Sequence, residues 1–398
     1  MKRIFYLGYY NLPDSGANFA LSAVNKMDYI ISAVESLNMS VNVVSATTRK
    51  DGKKAKGEIK KIGKNSTLKT FGNYLGKSKI SRFIGQKRLK RELKKYLKEN
   101  IKPNDTVIIY HSLGYCDLYK WIYEKLKANV ILEIEEIYTD VVKQKHIDNE
   151  QERKTFEYAN GYIFPTELLD KTVNTKGKPS TIIYGTYKIE KRYEKIFNDN
   201  KTHVVYAGTF DPNKGGAIAA IGAARFLNGN YHIHILGFGK QSEIDYVKSK
   251  IEETAKKTDA EISYDGLLSG EEYIRFIQSC DIGLSTQNPD AQFNATSFPS
   301  KILSYMSNGL RIVSVRIPAI EKSAVGEYIH YYDEQTPESI AAAVMSVDFN
   351  DGYDSRKKIA ELDKTFTCDL NAMLEELSEK NETVLQAHRS VSYTHLRA

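Results

Sequence analysis

Short β-branched and aromatic runs alternate with longer stretches of helical period along almost the whole sequence, and that alternation points to parallel sheets built from βα units. The first unit reads RIFYLGYY, a polar glycine-containing loop, and then Ala20, Leu21, Val24, Met27, Ile31 and Val34 on one helical stripe. Strands are expected at Val41–Ala46, Thr106–His111 and Asn129–Ile134, the last two separated by a helix bearing Leu118, Trp121, Ile122 and Leu126. A long basic loop leads into a helix near Gln86–Lys98, and GYIFP and TIIYG close this half. Residues 187–201 are highly polar and lie between two strand-like runs, so they read as a linker. The pattern then restarts, with HVVYAG, YHIHILG, DIGLS and RIVSV as strands. AIAAIGAARFL, residues 242–257, EEYIRFIQS and PESIAAAVMSV are the helices between and after them. A chain of 398 residues exceeds the usual size of one hydrophobic core. The expected architecture is α/β, two Rossmann-like domains facing across a cleft, with a C-terminal helix packing back on the N-terminal domain. The boundaries are 1–187, a linker at 188–201, 202–353, a helical segment at 354–383, and a tail at 384–398. The ending SVSYTHLRA continues no earlier pattern and is set aside as non-native.

Composition narrows the function classes. At 41% hydrophobic and 27% charged residues the chain is neither disordered nor membrane-spanning in character, and no apolar run approaches the roughly 20 residues of a transmembrane helix. The apolar run near the N-terminus is too short, and too soon followed by Asn11, Pro13 and Asp14, for a signal peptide. Three scattered cysteines fit a reducing cytoplasm and make neither a disulfide framework nor a zinc site. The net charge of +7 is unevenly placed: between Arg49 and Lys102 about twenty basic residues face about four acidic ones. That region reads as a solvated face or as a surface for anionic lipid headgroups, at the inner face of the cell membrane. Nucleic acid ranks last as its partner, because nothing else in the chain matches a nucleic-acid module.

In open α/β sheets, ligands bind beyond the carboxyl ends of the strands. Four loops of the second half have the composition for it. Tyr206–Gly216 (YAGTFDPNKGG) follows a strand and ends in Lys214-Gly215-Gly216, where glycines let backbone N–H groups approach an anion and the lysine adds charge; the spacing is not that of a Walker A loop. Ile235–Lys240 holds a short Gly237-x-Gly239 turn. Tyr264–Tyr273 gives a turn and then a helix start, with Ser269 as cap. In Ser297–Gly309 (SFPSKILSYMSNG), Pro299 stands at or near the first helical position, Ser300 and Lys301 offer backbone donors at the positive helix end, and Asn308-Gly309 closes the helix. The same segment also reads as an ordinary capped helix between strands.

Taken in order, these motifs resemble the donor-binding domain of GT-B glycosyltransferases of the broad glycogen-synthase-like group (group 1). The segments that carry the resemblance are YAGTF with NKGG, LGFG, YDGLLSGEEYIRFIQSCDIGLS and SFPSKILSYMSNGLRIVSV. GYYNLPDSGANF, NGYIFPT and TIIYGTY of the first half are similar to the corresponding loop and strands, so the resemblance spans nearly the whole chain. It implies that Lys214, with the backbone N–H groups of Ser300 and Lys301, binds the diphosphate of a nucleotide-sugar donor, a UDP-sugar being favoured. It places Tyr264, Asp265 and Gly266 near the nucleobase, with Gly237 in the donor loop and Gly16 approaching from the other domain. Two glutamates separated by seven residues are common in relatives, where this chain has Thr296 and Ser304. An arginine often precedes the lysine, where this chain has Thr209-Phe210-Asp211.

On the acceptor side, Glu135 and Glu136 stand at a strand end where many relatives have a His-Asp pair. A carboxylate there serves as general base or stabilises charge developing on the sugar, and it reads equally as a solvent-facing strand end. His111 ends the preceding strand, as a ligand to sugar or acceptor or as a structural histidine. His232 and His234 alternate on a strand without partners at a metal-binding spacing, and no D-x-D element occurs in a convincing loop. The expectation is thus a metal-independent hexosyltransferase without a cofactor, acting on a glycan or lipid-linked glycan acceptor in surface polysaccharide biosynthesis, cytoplasmic and peripheral at the membrane. A nucleotide-sugar epimerase on the same fold and a non-catalytic partner subunit remain alternatives.

Overall fold

The computed structural model describes residues 2–16, 20–49, 53–72, 78–141, 148–211, 215–289 and 296–394, with side chains of the last helix through Glu379. The chain forms two compact units. The first comprises Met1–Pro165, Leu169–Ile183 and Thr365–Ala398, and the second Thr166–Leu168 and Tyr184–Lys364.

The first run of elements is β1 (Arg3–Gly8), α1 (Leu21–Ser36), β2 (Ser40–Ser45), β3 (Ile59–Ile62), β4 (Ser66–Thr70), α2 (Lys79–Asn100), β5 (Thr106–Tyr110), α3 (Cys116–Trp121), β6 (Asn129–Glu133), α4 (Tyr138–Val141), α5 (Asn149–Phe156), β7 (Gly161–Phe164), α6 (Glu167–Val173) and β8 (Ser180–Ile182). The eight strands lie in the order β3-β4-β2-β1-β5-β6-β7-β8. Every pairing is parallel except β3 with β4. Progression through the sheet reverses between β1 and β5, the place where such sheets open a crevice at the strand ends. Ile4 to Leu7, Val107 to Ile109 and Val130 to Leu132 are fully buried, which is why these strands read as unbroken apolar runs and do not alternate. Phe5, Leu7, Val107, Ile109, Val130 and Leu132 share one core with Leu89, Leu93 and Leu97 of α2. The opposite face carries Gly8, against which the Met27 side chain of α1 packs.

The basic stretch is less loop-like than its composition suggests. Ile59–Ile62 and Ser66–Thr70 form an antiparallel hairpin. Its turn is held by the Glu35 carboxylate, which accepts from the backbone N–H groups of Lys64 and Asn65 and from the Ser66 hydroxyl. Helix α2 starts seven residues before Gln86, because Ser78 and Ser81 cap it reciprocally. Only Leu89, Leu93 and Leu97 of α2 are buried, a stripe of four-residue spacing, and Ile80, Phe83 and Ile84 are exposed.

The second run is β9 (Thr202–Thr209), α7 (Gly216–Ala223), β10 (Tyr231–Phe238), α8 (Gln241–Ala255), β11 (Glu261–Gly266), α9 (Gly270–Ser279), β12 (Ile282–Ser285), α10 (Lys301–Ser307), β13 (Arg311–Val315), α11 (Pro318–Glu321), β14 (Ile329–Tyr332), α12 (Pro337–Met345) and α13 (Ser355–Thr394). Its six strands are all parallel in the order β11-β10-β9-β12-β13-β14, reversing between β9 and β12. The polar segment 188–201 lies along this unit: the backbone N–H of Tyr193 donates to Gln278, that of Ile196 to Ser279, and Phe197 stacks on His203. Helix α13 begins in the second unit and continues in the first. There Phe366 packs on Tyr29 of α1, and Leu370, Met373, Leu374 and Leu377 are buried. Among the described residues no helix is long and apolar enough to cross a membrane.

Phe366 is nearly inaccessible, so its removal tests whether α13 is part of the first unit's core. Phe366→Ala is expected to lower stability by about 3–5 kcal/mol, read as a lower urea midpoint. A change within about 0.5 kcal/mol, typical of a surface substitution, would detach α13 from that core.

Candidate functional site

In the second unit, the strand ends and the start of α10 converge on two glycines. β9 and β10 run in register to their ends, with Gly208 opposite Gly237. Gly237 has φ 151°, and a Cβ there would overlap the Gly208 carbonyl, so the two backbones approach this closely only as glycines. A Cβ on Gly208 would lie 3.2 Å from Lys301 Nζ. Lys301 is the first residue of α10, and its ammonium sits 4.1 Å from the centroid of the Tyr206 ring. Burial, with Asp211 adding to it, pushes the Tyr206 phenol up to about 12, so the ring stays neutral beneath the cation. Two further bonds hold this edge together. Tyr305 of α10 accepts from the Ala207 N–H at 2.8 Å, and the buried Thr286 hydroxyl just beyond β12 donates to the Gly216 carbonyl at 2.7 Å. The result is a rim at the reversal between β9 and β12 with a lysine ammonium folded over bare backbone.

Several expected donor residues fall on this rim. Tyr264 donates to the Gly237 carbonyl at 3.3 Å and so braces the end of β10. Gly266 ends β11 with φ 81°. Ser304 lies one turn into α10, its hydroxyl 3.5 Å from that of Tyr273. Lys214 lies outside the described residues. Other expectations need correction. Ser300, not Pro299, borders α10: it is the N-cap, in αR conformation and without a side-chain capping bond, while the Pro299 carbonyl accepts from Ile302 in a tight first turn. Ser269 is the N-cap of α9, as expected, although its side chain makes no capping bond. The Asp265 carboxylate is engaged elsewhere, accepting from Ser263 at 2.8 Å and lying 3.2 Å from His234 Nδ1.

In the first unit, the strand ends gather carboxylates. Gly16 has φ 64° and is exposed, and the Arg49 guanidinium lies where a Cβ would project, donating to the Ser15 carbonyl at 2.9 Å. Glu135 is half-buried and paired with Lys26 of α1, whose ammonium also donates to the Ile183 carbonyl at 3.1 Å. Glu136, next to it, is half-buried as well. Glu133 was missed because it closes an apolar strand. It is fully buried, accepts from the Tyr6 hydroxyl, and its Oε1 has no partner among the described residues. Burial, then repulsion from Glu135, pushes its carboxyl up to about 8 against the opposing pull of Lys26 and Tyr6. The one available signal was strand parity: Glu133 falls on the same face as Asn129 and Ile131.

His111 is not presented to a ligand. It is 1% exposed, with Nδ1 2.7 Å from the Tyr119 hydroxyl and Nε2 2.7 Å from Glu152. Glu152, also buried, accepts in addition from the backbone of Tyr138 and Thr139 and from the Thr139 hydroxyl. With both ring nitrogens used, His111 ties α5 to the end of β5 and belongs to the packing.

No protein-family model matches the sequence, and no curated protein matches it in sequence. Solved structures match it in fold along nearly its whole length. A sucrose-phosphate synthase from Thermosynechococcus elongatus matches with a TM-score of 0.67 at 11% identity, covering 97% of this chain and 100% of that one. An E. coli trehalose-6-phosphate structure bound with UDP-2-fluoro glucose gives 0.59 at 11% identity, over 95% and 99% of the two chains. Anabaena HepE in complex with UDP gives 0.57 at 12% identity, over 96% and 100%. At such identities what is shared is the fold, and it is the GT-B type expected from the motifs.

The buried carboxyl makes a prediction with a definite sign. Glu133 titrates near 8 in the folded chain against 4.5 for the free group, so between those values the folded state holds one proton more than the unfolded state. Its contribution is complete below about pH 4.5 and is lost as pH rises through about 8, at up to about 1.4 kcal/mol per pH unit. Glu133→Gln is expected to flatten the fall in urea midpoint between pH 5 and 8. Parallel pH profiles for wild type and variant would overturn the assignment.

Proposed function

We propose that the chain is a glycosyltransferase that moves a hexose from a UDP-type nucleotide-sugar to a lipid-linked glycan acceptor, in surface polysaccharide synthesis, with no metal ion at the donor diphosphate. The observation that carries this reading is the rim of the second unit, where Gly208, Gly237, Lys301 and the start of α10 converge at the reversal point of a parallel sheet. The fold supports it, as do the UDP and UDP-2-fluoro glucose bound in the Anabaena and E. coli structures. Lys301 and Lys214, with the backbone N–H groups of Ser300 and Lys301, supply the positive charge that the leaving diphosphate requires. In the transfer, an acceptor oxygen bonds to the anomeric carbon as its bond to the phosphate oxygen breaks, and that electron pair leaves with the diphosphate. The acceptor proton goes to a carboxylate, a role for which Glu135 is suited by partial exposure and by the Lys26 ammonium that orients it.

Two features of the first unit support a lipid-linked acceptor. A cavity of about 810 Å³ is lined largely by apolar groups, among them Tyr9, Phe83, Leu89 and Tyr115, with Lys87 and Lys90 also in its wall. Tyr9 stacks on Tyr115 at 4.6 Å, an approach that leaves no room for a side chain at Gly114. On the exposed surface of α2, Ile80, Phe83 and Ile84 stand among lysines and arginines, the composition of a surface that settles on anionic headgroups. An apolar chain with a phosphorylated head suits both features, and peripheral attachment at the cytoplasmic face is part of the same proposal.

A thermal-shift panel of nucleotide sugars is expected to single out a UDP-sugar, since a ligand that binds only the folded state raises its stability. Lys301→Ala is expected to weaken that donor about 10- to 100-fold, the loss of one charge-assisted contact. If Lys301→Ala and Lys214→Ala both leave donor affinity unchanged, the donor assignment fails. Isomerised free donor without transfer would mark an epimerase. On anionic vesicles, a Phe83→Ser/Ile84→Ser variant is expected to lose binding that wild type shows at low salt. Equal binding of the two would remove α2 from the membrane reading.

A further inference from the structure

The second unit carries a polar cluster at the opposite end of its sheet from the donor rim. His203 on β9 and His232 on the neighbouring β10 are paired in register, and His234 lies two residues further on the same face of β10. From His203 to Gly208 is five residues of extended strand, about 17 Å. His203 and His234 are buried, at 4% and 1% exposure, under Phe197 and Phe276. His232 is half-buried. The ligand atoms of the three histidines lie within 4.8 Å of one another, and those of Asp199, His232 and Glu261 form a second such set.

The hydrogen bonds around the cluster determine what its interior can hold. His203 Nε2 lies 2.9 Å from Asp199, His234 Nδ1 3.2 Å from Asp265, and His232 Nδ1 3.2 Å from Glu261. The Ser263 hydroxyl also lies 3.2 Å from His234 Nδ1. His203 Nδ1 and His234 Nε2 face each other at 2.9 Å, a contact that one ring N–H can make to the other. A metal ion, at about 2.0–2.1 Å from each nitrogen, would replace that contact as the two rings pivot apart to admit it. A histidine ligand whose far nitrogen donates to a carboxylate is the usual pattern around transition metals. His232 Nε2 lies 2.9 Å from the Ser263 hydroxyl. The exposed sides of Asp199 and Glu261 give a path in from solvent.

We propose that His203, His232 and His234 bind one divalent transition-metal ion of the zinc class, with carboxylate support from Asp199 and Glu261. Two neighbouring residues of one strand and a third across the sheet supply three imidazoles from one face, and imidazole with carboxylate is a ligand set suited to zinc. The ion is structural: it ties β9 to β10 and holds the segment 188–201 against them through Asp199, and its nearest ligand, His234, is three strand residues, about 10 Å, from Gly237. It therefore takes no part in the proposed transfer and stands whether or not that reading does.

The test uses the full chain, stripped with a chelator and then titrated with Zn²⁺ and, separately, Co²⁺. One ion per chain retained through gel filtration, a higher thermal midpoint, and visible absorption of four-coordinate Co²⁺ are expected. Glu261→Gln is expected to weaken affinity about tenfold, and His232→Gln to abolish it. Circular dichroism of His232→Gln separates loss of the site from loss of the fold, and His330→Gln serves as a control that retains binding. Wild-type chain that neither binds the ion nor gains stability overturns the proposal and leaves the ring-to-ring hydrogen bond. Equal binding by wild type and His232→Gln also overturns it.

Discussion

A parallel strand covered on both faces has no solvent side on which to carry polar chemistry, and most of what is distinctive in this protein follows from that constraint. The central strands of both sheets are buried along their length, so charge and hydrogen-bonding capacity collect at their ends. At the carboxyl end of the second sheet this yields bare backbone at Gly208 and Gly237 with the Lys301 ammonium over it. At the carboxyl end of the first it yields Glu133, Glu135, Lys26 and Tyr6. At the amino end of the second it yields three histidines ringed by carboxylates.

The two ends of charge in the first unit are handled differently, and burial decides how. Glu135 retains partial exposure and gains the Lys26 ammonium, so its charge is compensated by a direct partner. Glu133, two residues earlier at the end of β6 and fully buried, has only a phenol and keeps a lone oxygen unpartnered among the described residues. A buried charge so placed is costly, and the carboxyl retains its proton to higher pH instead. His111 and Glu152 show the fully satisfied alternative, in which donors from Tyr138 and Thr139 complete the carboxylate's needs.

Helix α2 joins the sequence's charge asymmetry to its packing. Its three buried leucines fix it to the first sheet through a stripe too narrow to cover Ile80, Phe83 and Ile84. The remaining circumference is dominated by lysine and arginine. The same helix thus contributes Leu89 and Leu93 to the wall of an apolar cavity and an apolar, cationic surface beyond it.

Hydrophobic periodicity determined the fold class: β1, β5, β6, β9 and β12 stand where apolar runs of strand length occur, and α13 where a helical stripe closes the chain. Glycine and lysine at loop ends singled out Gly237 and Lys301, because close backbone approach and anion charge require those residue types whatever surrounds them. The hairpin of β3 and β4 was hidden, since charged residues on an edge strand look like loop. Tertiary structure alone decided the rest. Whether His111 or Glu135 faces a ligand, that Asp265 turns to His234, and that His203 meets His234 all depend on contacts between residues 31 to 109 positions apart. The charge and proton of a side chain respond to the field and solvent within a few ångströms, and only the packed sheet brings those neighbours that close.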